Sequence, residues 1–534
     1  MERSLLKNRI WYLLIAVGAL LLAAFFGSRK QGYYIDEYYT YTLSNGTQLG
    51  IAIDEGSWQD TGPYLEQLVS SGEENFRFGQ VYENNANDVH PPLYYFLIHL
   101  VSSFFPGVFS KWIGIGVNLF LWCFCLLIAY YMSLELCGAG GRGGLGISNA
   151  AAKSREREKL SLVAFAAYAF SPAVISGLML IRMYVQLQLF VMLFALILIK
   201  DIKRDEISVR GFLLPVFLTG FFGFLTQYYF VIAMFFMTFF YCILLFLRYG
   251  KNGFRRILAF GLTALFSLMA TVIPWRVSIF HIFKGYRGAD SVSSLMSTTN
   301  ISSRAALFIG NLNRNVFGGL LPMYCIMLTI GAVMLIKRGK KAVDIIQKNP
   351  RGAGMLLLIL SSICYFLVIA KIGLKAADAS NRYEYPVYGI FIILAVAGDY
   401  EVSRRIPLIA AHALRSAFMV ILLACILGYT QDQVLYLYPQ EQILDDLMEE
   451  NPDAQIAVFQ RDDGKYDTRI KDYIKRDKVY WGSSKPDGKK AEAYSGILSE
   501  GPLFVYIDKR DDTGALGTPV FTTPGDEFNI YFIP

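Results

Sequence analysis

Residues 10–26 read IWYLLIAVGALLLAAFF, an unbroken apolar run behind the basic flank MERSLLKNR. A bilayer core takes about 20 apolar residues per helical span, somewhat fewer where flanking side chains snorkel. No small-residue cleavage site is convincing before Gly27 and Ser28, so the run predicts a first span that is retained. Similar runs follow at 112–134, 160–180, 184–200, 211–226, 228–247, 257–275, 319–336, 354–372, 386–399 and 413–429. Composition agrees: of 534 residues, 54% are hydrophobic, 15% aromatic and only 17% charged, a balance too apolar for a soluble chain of this length. The expected fold class is an all-α polytopic membrane protein with about 11 transmembrane helices.

The basic residues set the orientation, because cytoplasmic loops retain Lys and Arg. With the N-terminus inside, the inside segments hold Arg3, Lys7 and Arg9, then Arg142, Lys153, Arg155, Arg157 and Lys159, then Lys200, Lys203, Arg204 and Arg210. Arg248, Lys251, Arg255 and Arg256 follow, then Lys337, Arg338, Lys340, Lys341, Lys348 and Arg351, and last Arg404, Arg405 and Arg415. Every second loop is basic, which predicts a plasma (inner) membrane protein with a cytoplasmic N-terminus. Residues 91–105, PPLYYFLIHLVSSFF, are too short to cross and are read as re-entrant or lying along the membrane surface.

This topology divides the chain into a membrane module, 1–429, and a C-terminal extracytoplasmic α/β domain, 430–534. The module carries a first outer loop at 27–111 and a second large one at 276–318. In the tail, AQIAVFQ (454–460), PLFVYID (502–508) and FNIYFIP (528–534) read as strands and EQILDDLMEE (441–450) as a helix. The seven cysteines all lie in or beside apolar runs, so no disulfide framework is implied. The longest inside loop, from about Glu135 to Lys159, is shorter than the roughly 40 residues below which domains rarely stand alone. Its Gly-rich stretch 138–146 follows a membrane span, not a strand leading into a phosphate-capping helix. A cytoplasmic nucleotide-sugar pocket is not expected, nor is a nucleic-acid partner.

Two clusters in the first outer loop carry chemistry. In Tyr33-Tyr34-Ile35-Asp36-Glu37-Tyr38-Tyr39 two acids sit among aromatics near the membrane surface. Partial desolvation raises a carboxylate toward working pH and suits it to general-base work; the same residues also suit an interfacial aromatic belt with solvated acids. In Asn87-Asp88-Val89-His90-Pro91-Pro92-Leu93-Tyr94-Tyr95 two prolines stiffen the mount for Asp88 and His90. A rigid mount fits a catalytic or phosphate-binding group, and a turn with a satisfied His fits it as well.

An Asp-Glu pair early in the first outer loop, followed by D-x-H-P-P-L-Y-Y, resembles the GT-C superfamily of membrane glycosyltransferases, above all protein O-mannosyltransferases, aminoarabinose transferases and rhizobial lipopolysaccharide sugar transferases. The resemblance covers roughly residues 1–400 and does not reach the tail. It implies a GT-C-like fold, with Asp36 as catalytic base, Glu37 as the second acid and His90 near a lipid phosphate. Ile181-Arg182-Met183-Tyr184 resembles an Arg-x-Tyr element, Gln227-Tyr228-Tyr229 a His-Tyr-Tyr element, and Asn381-Arg382-Tyr383 with Pro386 a late Arg-Tyr-x-x-Pro element. Gln227 departs from the family's His, which would help bind a metal or phosphate; a divalent metal therefore stays open, and no other cofactor is implied.

The topology, without the resemblance, puts Asp36, Glu37, Asp88, His90, Arg182, Gln227, Tyr228 and Arg382 on the outer side. The resulting expectation is catalysis by Asp36 and Glu37, with donor binding by Asp88, His90, Tyr94, Arg182, Tyr184, Gln227, Tyr228, Arg382 and Tyr383. The reaction expected is inverting transfer of a sugar from a polyprenyl-phosphate donor to an envelope glycan, lipid or protein. A transporter or flippase for a lipid-linked or polar solute is one rival, but it favours midplane ionisable residues and inverted repeats, which the sequence does not show. A non-catalytic membrane assembly protein is the other.

Overall fold

The computed structural model describes residues 2–534 apart from 48–49, 138–146, 205, 297–300, 338–346, 348, 432–433, 461–467, 484–496, 498–500, 513, 515 and 524–526. The Gly-rich inside stretch and Arg142, Arg338, Lys340, Lys341 and Lys348 lie outside the described residues. Among the described residues nine helical stretches are long and apolar enough to cross a membrane. One of them, Tyr229–Thr271, holds two helices, Tyr229–Tyr249 and Phe254–Thr271, separated by a 3-10 turn at Gly250–Gly253. Leu321–Lys337 is a shorter apolar helix. Each of the eleven apolar runs read from the sequence thus has a helix.

Local chemistry sets the helix starts. Ser110 accepts the Trp112 amide ahead of Lys111–Leu136, and Asn349 accepts that of Gly352 behind Pro350 in Pro350–Ile372. Both satisfy orphan donors of a first turn. Burial separates centre from rim: 78% of the Tyr184–Asp201 window is buried in protein, against 22% of Arg9–Arg29. The first helix therefore shows most of its surface to lipid. Two glycines bring elements together that a side chain would hold apart. A Cβ on Gly177 would lie 1.8 Å from the Tyr385 ring, and one on Gly114 would lie 2.1 Å from Ile181 Cγ2.

The 91–105 segment forms the helix Leu93–Ser102, started by Pro92 and closed near Gly107, whose φ is +74°. Ten residues span roughly 15 Å, half a hydrocarbon core, so this helix does not cross. Its Tyr94, Tyr95, Ile98 and His99 are buried in the bundle end.

The tail and a strand of the first outer loop together build a six-stranded sheet in the order β1-β3-β2-β4-β6-β5, with β1 at Ser57–Asp60. β2 (Gln455–Gln460) runs parallel to both β3 (Lys478–Ser483) and β4 (Leu503–Asp508). β6 (Phe528–Ile533) is antiparallel to β4, and β5 (Phe521–Thr522) to β6. All six residues of β4 are buried, as expected of a central strand covered on both faces. The helix Glu441–Glu450 lays Leu444 and Met448 into the core. The three strands and the helix read from the tail sequence are all present. The edge strand β1 (Ser57–Asp60) comes from the first outer loop and pairs antiparallel with β3. Behind it Tyr64 stacks on Trp481, with ring centroids 6.1 Å apart, and meets Tyr473 edge-on at 5.9 Å. Loop and tail share one sheet: the C-terminal α/β domain takes its edge strand from the first outer loop.

Candidate active site

The first outer loop begins with the helix Ile35–Asn45, which places Asp36 and Glu37 in its first turn. Glu37 has no exposed side-chain surface. Its Oε2 accepts from the Tyr34 amide at 2.6 Å and from Lys30 Nζ at 2.9 Å, and its Oε1 accepts from the Ile181 amide at 2.7 Å. Burial pushes this carboxyl up, opposed by Lys30 and the two amides. The group therefore caps its own helix and ties it to the 180–183 turn, which the missing Cβ of Gly114 allows to come close.

Asp36 has a different environment. Its side chain is 21% exposed, and Oδ2 lies 3.4 Å from Arg382 Nε. Arg382 sits in the 3-10 turn Ala377–Tyr383, is 4% exposed, donates from Nη1 to the Ala379 carbonyl at 2.6 Å, and lies over the rings of Tyr34 and Tyr383 at 5.2 and 4.7 Å. Burial opposes its charge, but Tyr383, Asp36 and Tyr184 hold its pKa well above the usual value. Tyr383 meets Tyr184 edge-on at 6.0 Å and Tyr229 at 5.5 Å.

A second chain of bonds approaches from the stiff Pro91-Pro92 mount. His90 Nδ1 lies 2.5 Å from Asp88 Oδ2, and His90 Nε2 lies 3.2 Å from Arg182 Nη2. The two ring nitrogens of His90 thus face a carboxylate on one side and a guanidinium on the other. Burial pushes the Asp88 carboxyl up, but the pull of His90 and Arg182 outweighs it and leaves the group well below the usual carboxylate range. Arg182, 3% exposed, also donates to Thr40 Oγ1 at 3.2 Å and lies over the Tyr95 ring at 5.9 Å. Its charge feels both Asp36 and Asp88.

The structure thus brings Asp36, Glu37, Asp88, His90, Arg182, Tyr184, Arg382 and Tyr383 to one end of the bundle. Tyr94 is set back, donating to Asn118 Oδ1 at 2.9 Å; its neighbour Tyr95 underlies Arg182. Gln227 accepts the Tyr228 amide through Oε1 at 2.7 Å. Tyr228 belongs to a chain in which Trp275 Nε1 donates to its hydroxyl at 2.8 Å, and the hydroxyl meets His281 Nδ1 at 3.0 Å. His281 Nε2 lies 3.0 Å from the Ala86 carbonyl, so the second outer loop is tied to the first just before Asp88. Lys30, Thr40 and His281 were not singled out from the sequence. Lys30 there is one more basic residue at a span edge; its partner Glu37 is the signal that could have marked it. No group of three or more His, Cys, Asp or Glu among the described residues is arranged to hold a metal.

No known family model matches the chain, and no curated protein matches it in sequence. Among solved structures it is similar to ArnT from Cupriavidus metallidurans bound to undecaprenyl phosphate. The TM-score is 0.51 and the identity 11%, over 98% of this chain and 98% of that one. The likeness runs through the tail as well as the membrane module. Together with its apolar helices, it shows this chain to be a multi-pass membrane protein with the GT-C-type fold.

Proposed function

We propose that this protein is a membrane glycosyltransferase that moves a sugar from a polyprenyl-phosphate donor to an acceptor hydroxyl in the cell envelope. The observation that carries the reading is the meeting of a partly open carboxylate, Asp36, with the buried guanidinium of Arg382 at 3.4 Å, within a fold whose solved counterpart was crystallised with undecaprenyl phosphate.

Asp36 takes the proton from the acceptor hydroxyl as its oxygen attacks the anomeric carbon. The bond from that carbon to the phosphate oxygen breaks on the opposite side, and the lipid phosphate leaves with the electron pair. One displacement gives inversion. Arg182 and Arg382 take the charge that builds on the leaving phosphate, a task suited to planar guanidinium groups and strongest where water is excluded. Asp88 and His90 hold Arg182 to this face. Tyr184 and Tyr383 pack edge-on beside Arg382, and Gln227 and Tyr228 complete the donor-binding set. Glu37, saturated with donors, fixes the helix that presents Asp36.

The donor distinguishes this reading from its rivals. Purified protein in lipid is offered either a labelled polyprenyl-phosphate sugar or the matching nucleotide sugar, with a range of acceptors. Transfer from the prenyl donor is expected. Transfer from the nucleotide donor alone, or donor movement across the bilayer without transfer, would overturn the proposal.

A further inference from the structure

The tail begins as the last apolar helix, Ala413–Thr430, ends, and its residues 434–440 lie beside the site. Two of its residues hold a left-handed backbone, Tyr436 with φ +67° and Tyr438 with φ +52°. A bulky residue is disfavoured there because its Cβ crowds the backbone, so such a conformation persists only where surrounding contacts hold it.

Those contacts lead into the site. The Tyr436 side chain is 6% exposed. Its hydroxyl donates to Asn381 Oδ1 in a short hydrogen bond and lies 3.5 Å from the Ala379 carbonyl, the acceptor that also takes Arg382 Nη1. Its backbone carbonyl accepts from Lys30 Nζ at 2.7 Å, and the same ammonium donates to Glu37. Its ring lies 6.3 Å from Tyr34, the ring over which Arg382 is seated. Next to it, the Leu437 carbonyl accepts the Gln31 amide at 2.7 Å. One residue at the root of the tail thus touches both the turn that carries Arg382 and the Lys30–Glu37 lock behind Asp36.

We infer that Tyr436 is a positioning residue for the transfer proposed above, holding the Arg382 guanidinium in register with Asp36, so that the seating of the tail is part of the site. The inference rests on the glycosyltransferase reading and adds a residue that lies beyond the span of the sequence motifs. Without the hydroxyl, Asn381, itself 2% exposed, loses its donor, and the turn that aims Arg382 loses a fixed point. The Arg382 charge stays; its placement changes.

The test uses the full chain in lipid, with initial rates from a labelled polyprenyl-phosphate sugar and melting temperatures for wild type, Tyr436→Phe, Arg382→Lys and the double variant. Tyr436→Phe is expected to lower kcat about 10-fold, the scale of one buried hydrogen bond acting on a reacting geometry, with the acceptor KM little changed. In the Arg382→Lys background it should cost less than about 2-fold more, because the fork that Tyr436 aims is already gone. Asn381→Ala removes the acceptor of the same bond; it should repeat the loss and be non-additive with Tyr436→Phe, which covers the case in which one variant fails to fold. An unchanged rate for Tyr436→Phe in an active protein, or losses that multiply with Arg382→Lys, would overturn the inference and leave the glycosyltransferase reading standing. A wild-type chain that transfers no sugar would overturn that reading, and this role with it.

Discussion

Successive side chains on a helix point about 100° apart, so Asp36 and Glu37, adjacent in one first turn, meet different surroundings. Glu37 turns inward to Lys30 and two amides, while Asp36 keeps part of its surface toward the space bounded by Arg182 and Arg382. The pair was legible in the sequence as two acids; which of them is open was not, because the closing partners, Lys30 and the Ile181 amide, come from other parts of the chain. Asp36→Asn keeps the shape and removes the base, so transfer should fall about 100-fold to 10,000-fold in a protein that still folds; near-normal turnover would move the base elsewhere. Asp88 gives a prediction in pH. Its pKa is depressed in the folded chain, so its contribution to stability is present above the unfolded value of about 3.9 and is lost as pH falls through the lower folded value. The melting temperature of Asp88→Asn should lie below that of wild type near neutral pH. The gap should begin to narrow below about pH 4 and close in stronger acid, and a gap that widens in acid would reverse the assignment.

At the scale of elements, the apolar helices were legible because each carries its own signal, about twenty residues of hydropathy bounded by polar loops. The strand β1 was not. Ser57-Trp58-Gln59-Asp60 has neither length nor alternation, and it becomes a strand only because β3, far along the chain, offers an unpaired edge. The same holds for Tyr64, one more loop aromatic in the sequence and, in the fold, a ring 1% exposed between Tyr473 and Trp481. That burial has a measurable consequence. Tyr64→Ala should destabilise the sheet by about 3–5 kcal/mol, the usual cost of emptying a buried aromatic site. The loss should show as new protease cleavage in the tail at temperatures where the membrane helices remain intact. If the tail stayed as resistant as in wild type, loop and tail would have to be counted as separate units.

For the molecule as a whole, the connections between helices decide which side of the membrane the site faces. Counting the eleven apolar helices from the N-terminus, Asp36 and His90 follow the first, Arg182 the third, Tyr228 the fifth, His281 the seventh, Arg382 the ninth and Tyr436 the eleventh. Residues after odd-numbered spans share one side. The structure joins these connections to each other: Arg182 to His90, Tyr228 to His281, Arg382 to Asp36, Tyr436 to Asn381, and β1 to β3. Had Leu93–Ser102 crossed, Asp36 would face the side opposite Arg382, and their 3.4 Å approach would be impossible. The contacts set the parity; the sign is a proposal from charge, since the even connections hold Arg155, Arg157, Lys159, Lys203, Arg204, Lys251, Arg255, Arg404 and Arg405, which the positive-inside rule would keep in the cytoplasm. Labelling can test that sign. In a chain whose seven native cysteines are replaced, Asp453→Cys and Arg255→Cys each present a thiol at an exposed position. A membrane-impermeant maleimide offered to cells with an intact plasma membrane should label the first and reach the second only after lysis. The opposite pattern would place Asp36 and Arg382 in the cytoplasm, where an envelope acceptor could not meet them, and the proposed reaction would fall with the topology.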